Sequence, residues 1–82
     1  MKKILVYGAG AIGGYLGARL FQHGHDVTLL SLPEVIAPIN QHGLTITEAE
    51  DTVTVKPTAV ATLTAAFADN QIYDLILVTL KS

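Results

Sequence analysis

Gly8, Gly10 and Gly13 fall in the order G-x-G-x-x-G within VYGAGAIGGYLGARL, residues 6–20. Glycines so spaced work through backbone rather than side chains. The first permits a tight turn out of a strand. The second lacks a side chain, so that a pyrophosphate can approach the main chain, and the third lets a helix pack closely on the strand before it. The start of that helix then offers unpaired N–H groups and the positive end of its dipole to the phosphates. The motif carries this meaning only where a strand precedes it and a helix follows.

The flanking residues meet both conditions. Residues 3–7 (KILVY) are a short, mostly apolar run of the kind that makes a buried parallel strand. From Ala11 the period changes: Ile12, Leu16 and Leu20 recur every four residues, a helical stripe that runs to about His23. Gly24 stands where a left-handed C-terminal cap places a glycine, and Gly17, one turn beyond Gly13, extends the close-packed face. The plainer alternative is a glycine-tolerant helix in a small α/β core that binds nothing.

The remaining elements supply the frame. Residues 26–30 (DVTLL) read as a second buried strand, and residues 33–42 as a helix ended by Gly43. Pro38 either kinks that helix or marks the start of its regular part. Two alternating stretches in residues 44–56 predict a β-hairpin whose tip, with Glu48, Glu50 and Asp51, is solvated. Residues 62–69 predict a short helix with Thr62 as N-cap, and residues 74–80 (DLILVTL) give the strongest strand of the chain. Strands alternating with helices predict an α/β fold with a mostly parallel sheet, the hairpin being an insertion.

Composition narrows the function. The 82 residues are 50% hydrophobic, enough for one small domain, and the net charge of −2 leaves no basic patch for nucleic acid. The absence of cysteine excludes disulfides and thiolate metal sites and fits a cytoplasmic protein. Lys2 and Lys3 before apolar residues imitate a secretory signal, but five glycines and Arg19 interrupt the apolar stretch. No run of ~18 apolar residues is present to span a membrane. His23, His25 and His42 have no carboxylate cluster to complete a metal site, so no metal is expected. Tyr7, Tyr15 and Tyr73 are too dispersed for a stacking platform. No nucleophile–base pair is apparent, and no catalytic residue is assigned within the chain.

Taken together, GAGAIGGYLGARL, GHDVTLL, GLTI and DLILVTLK resemble the N-terminal domain of the ketopantoate reductase (2-dehydropantoate 2-reductase) family over essentially all 82 residues. The resemblance implies a truncated Rossmann-like dinucleotide-binding fold and, for the parent protein, NADPH-dependent reduction of 2-dehydropantoate to pantoate in pantothenate biosynthesis. It implies that residues 1–82 are the NADP-binding domain, and that a C-terminal domain with the catalytic lysine and glutamate lies outside the chain. Gly8, Ala9, Gly10, Ala11, Ile12 and Gly13 match the family's phosphate-binding turn. Lys81 matches the lysine beside the nicotinamide end of the cofactor. The chain alone is then expected to be inactive; a self-standing nucleotide-binding or sensor module is the alternative.

One position departs from the family pattern. Where an arginine commonly meets the adenosine 2′-phosphate, this chain has Leu32. No acidic residue stands there either, so the usual acceptor for a ribose diol is missing as well. Ser31 either donates to the 2′-phosphate or ribose, or joins Glu34 in a capping box at the next helix. NADP is the expected cofactor, with NAD possible. The last strand should pair with residues 3–7 and leave an apolar outer edge, which invites a homodimer.

Overall fold

The computed structural model describes residues 1–79, apart from the side chains of Ala11 and Glu48. Strand β1 (Lys3–Tyr7) leads into helix α1 (Ala11–Gln22), and β2 (Asp26–Leu30) into α2 (Pro33–His42). A hairpin of β3 (Leu44–Glu48) and β4 (Asp51–Val55) comes next, then β5 (Thr58–Val60), the single turn of α3 (Leu63–Ala66), a 3₁₀ turn at Ala68–Asn70, and β6 (Leu75–Val78). Among the described residues no helix is long and apolar enough to cross a membrane.

Four of the strands form one parallel sheet in the order β5-β2-β1-β6. In chain order of the parallel strands this is third, second, first, fourth. The chain therefore builds outward from β1 in one direction, then returns to add β6 on the other side. β1 and β6 flank the point where the winding reverses, and open parallel sheets bind ligands outside the carboxyl ends of strands at such a point.

Alternation along β1 divides the core. Ile4 and Val6 join Val27, Leu29, Ile36, Ile39 and Ala59 beneath α1 and α2. Leu5 joins Leu30 and Ala66 on the opposite face, under α3, with Tyr7 and Tyr73 at its margin. The central strands carry apolar residues at successive positions because both faces are covered. α3 is held by its cap, the Thr62 hydroxyl accepting from the Ala65 N–H at 3.0 Å. The regular helix stops at Ala66, short of the expected residue 69, and the 3₁₀ turn follows, with Asp69 in a left-handed conformation (φ 57°).

The glycines of α1 are explained largely by packing. A Cβ on Gly17 would lie 2.7 Å from Leu29 Cδ2, and one on Gly14 would meet Leu44 Cδ1 at 3.5 Å. The helix is thus lowered onto the sheet on one side and receives the hairpin on another. Across the hairpin, the Thr45 and Thr54 hydroxyls bond at 2.8 Å.

Pro38 lies inside α2, which runs unbroken from Pro33, so the proline neither starts the regular part nor splits the helix. It is exposed, and the lost N–H bond falls on the solvent side. β5 has no counterpart among the expected strands. Its three residues are too few for a visible period, and it exists through bonds to β2, including Ser31 N–H to the Val60 carbonyl at 3.2 Å.

Candidate functional site

The turn after β1 brings backbone groups together. Gly8 has φ +101°, which side-chain-bearing residues rarely adopt, and a Cβ there would stand 3.1 Å from Thr79 backbone atoms. Its N–H donates to the Leu30 carbonyl at 2.7 Å, tying the turn to the carboxyl end of β2. A Cβ on Gly13 would overlap the Gly8 carbonyl oxygen and crowd Thr79 Oγ1. Gly8 and Gly13 therefore do what the spacing predicts, a tight turn and a close helix–strand approach.

Gly10 is different. Its φ is −75°, open to any residue, and a Cβ there would meet nothing within 4 Å. The fold itself therefore has no need of a glycine at this position. As N-cap of α1, Gly10 makes no side-chain bond to the helix, and the first turn holds no acidic residue. The backward bond from the Gly14 N–H to the Gly10 carbonyl, at 2.7 Å, opens the helical ladder, leaving the first-turn N–H groups directed out of the helix end. Ala9 is buried beside the turn, whereas Ile12, 71% exposed, lines the open side.

Ser31 and Leu32 lie along the same edge of the sheet. With Tyr7, Leu30, Ala61 and Leu63 they border a cleft of about 430 Å³ beyond the carboxyl ends of β1 and β2. The capping-box reading of Ser31 does not hold. The N-cap of α2 is Leu32, without a side-chain cap bond, and Pro33 at the first helical position removes one donor that a cap would satisfy. Leu32 itself is 62% exposed. Lys81 lies outside the described residues.

A second cavity, of about 220 Å³, opens at the amino ends of the strands among Lys3, Asp26, Thr58 and Gln71, away from the glycine turn. The histidines are engaged separately, His25 Nδ1 accepting from the Lys2 N–H at 3.0 Å and His23 Nδ1 standing 2.8 Å from the Arg19 carbonyl. Among the described residues no group of His, Asp or Glu is placed to hold a metal ion.

Sequence reasoning missed Thr79. Its side chain reaches the Tyr7 and Gly8 carbonyls from across the sheet, a contact 71–72 residues away in the chain. A threonine at a strand end is unremarkable in sequence, and only the pairing of β6 with β1 shows what it touches.

Residues 4–82 match the family described as ketopantoate reductase PanE/ApbA. The chain belongs to this oxidoreductase family. It is 40% identical over 80 residues to the 2-dehydropantoate 2-reductase of Pyrococcus horikoshii, covering 98% of this chain and 25% of that protein. The structure of 2-dehydropantoate 2-reductase from Methylococcus capsulatus superposes with a TM-score of 0.74 at 32% identity, over 93% of this chain and 24% of the other. A ternary structure of D-mandelate dehydrogenase with NADH and anilino(oxo)acetate superposes with a TM-score of 0.82 at 31% identity, over 96% of this chain and 25% of the other. The chain spans 18–25% of the length of the curated relatives it matches. The family match accordingly spans both the glycine turn and Thr79, the residue after β6.

Proposed function

We propose that residues 1–82 are the N-terminal dinucleotide-binding domain of an NADPH-dependent reductase acting on 2-dehydropantoate. The observation that carries the reading is Gly10, a glycine the fold does not require, at an uncapped helix start on the binding edge of the sheet. In this reading the backbone of Gly8, Ala9, Gly10, Ala11, Ile12 and Gly13 holds the pyrophosphate. Ser31 donates to the ribose or its 2′-phosphate, and Leu32 covers the sugar from the cleft. Lys81, outside the described residues, matches the lysine that the family pattern sets beside the nicotinamide end of the cofactor.

The nicotinamide supplies a hydride when bound; the chain's own task is to bind and orient. The groups that hold the keto acid and supply its proton belong, by family resemblance, to a C-terminal domain. The short share of its relatives that the chain spans supports this division, so binding without turnover is expected.

Leu32 favours a second reading of the cofactor. Without an arginine to pair with a 2′-phosphate, NADH becomes a competent ligand, and a structural neighbour is described with NADH. The same titration tests both. Fluorescence titration should show saturable NADPH binding, modestly tighter than NADH, and Gly10→Glu should abolish both by placing a carboxylate where the pyrophosphate lies. Unchanged affinity in folded Gly10→Glu protein would remove the assignment. Tighter binding of NADH would select the second reading.

A further inference from the structure

The side chain of Thr79 lies behind the glycine turn rather than on its open side. The β1–β6 ladder continues one bond past β6, with the Thr79 N–H donating to the Tyr7 carbonyl at 2.9 Å. This bond holds the threonine opposite the turn. Its hydroxyl then donates to the Gly8 carbonyl, with the Tyr7 carbonyl 3.2 Å away as a second acceptor. The contact is crowded: Thr79 Oγ1 and the Gly8 carbonyl occupy the space that a Cβ on Gly13 would need. Three elements therefore meet here, the end of β1, the first turn of α1 and the residue after β6.

We propose that Thr79 is a positioning residue for phosphate binding, acting through the Gly8 peptide. This rests on the dinucleotide reading given above. The Gly8 carbonyl is buried, and with its oxygen bonded to Thr79 the peptide joining Gly8 to Ala9 cannot rotate freely. Because a peptide is planar, fixing the carbonyl fixes the opposed Ala9 N–H, and with it the approach of the chain to Gly10 and the helix start. Gly8 needs such restraint more than other residues, since glycine is the most conformationally free. The hydroxyl thus keeps the turn in its binding geometry without touching the ligand.

Thr79→Val preserves shape and removes the donor, while Thr79→Ser keeps the donor. Titration with NADPH and with ADP should show about fivefold to tenfold weaker binding for Thr79→Val, the size expected for one lost hydrogen bond. The loss should be similar for the two ligands because they share the pyrophosphate, and Thr79→Ser should restore affinity to within about twofold. If Thr79→Val does not fold, Thr79→Cys, with its weak S–H donor, takes its place in the same comparison. Equal affinity of wild type and Thr79→Val overturns the proposal while leaving the dinucleotide reading intact. So does a loss confined to NADPH, or a fall in melting temperature with affinity unchanged. A wild-type chain that binds neither ligand overturns the dinucleotide reading, and this proposal with it.

Discussion

Gly10 and Gly13 have the same side chain and opposite reasons for it. Gly13 is required by the protein, because any Cβ would collide with the Gly8 carbonyl. Gly10 has open space beside it. Gly13→Ala should therefore lower stability by about 1–3 kcal/mol, the usual cost of overpacking, seen as a lower thermal midpoint without ligand. Gly10→Glu should leave that midpoint nearly unchanged while abolishing binding; a large fall in stability would mean that the fold needs Gly10 after all. Leu32 makes a third case, an exposed apolar residue beside a cleft. Leu32→Arg should tighten NADPH binding through a charge-assisted, bidentate contact and leave NADH unaffected. Flat NADPH affinity, with NADH binding measurable, would place Leu32 away from the adenosine ribose.

At the scale of elements, α2 shows how tertiary packing overrides a local breaker. Proline in a helix interior costs about 3 kcal/mol relative to alanine, yet α2 continues through Pro38 to His42. Ile36 and Ile39 are buried beneath it, and their packing against the core holds the helix on both sides of the proline. Pro38→Ala should restore the backbone bond and raise stability by about 1–2 kcal/mol, after allowance for the greater freedom of the unfolded chain. Thermal or urea unfolding measures this directly, and an unchanged or lower midpoint would show that α2 carries no strain at Pro38. β5 makes the complementary point. Its three residues would not hold as a strand alone and are ordered by β2.

For the whole molecule, the uneven cover of the sheet decides the behaviour. Among the described residues β6 is the outer strand next to β1, and Leu75, Ile76 and Val78 are 48%, 49% and 65% exposed. By register, Ile76 and Val78 share the face of Leu5 and Tyr7, whereas α3 packs over β2 and β5 and leaves them bare. An apolar edge strand with free backbone groups is a template for pairing. Self-association through β6 is therefore expected of residues 1–82 taken alone, visible as a sedimentation coefficient that rises with concentration. Replacing Ile76 with lysine should suppress it, and a wild-type chain that stays monomeric throughout would refute the edge argument.

The local signals were strong where a pattern repeats over enough residues or where a glycine must sit. The strand–glycine–helix start, the second strand, the hairpin and the Thr62 cap were all legible, because each follows from neighbours within a few positions. The roles of Gly8 and Gly13 were legible too, since their spacing is itself a geometric requirement. Ser31 is released from capping by a local signal that the capping-box pattern masked, since Leu32 and Pro33 begin the helix instead. Two things were decided by tertiary structure alone. Helix α2 passes through Pro38 because its buried face outweighs a single missing bond. Thr79 reaches the glycine turn because β6 returns beside β1, across 71 residues of chain. Local propensity reads along the chain, whereas a contact of that kind depends on the order in which the strands pair.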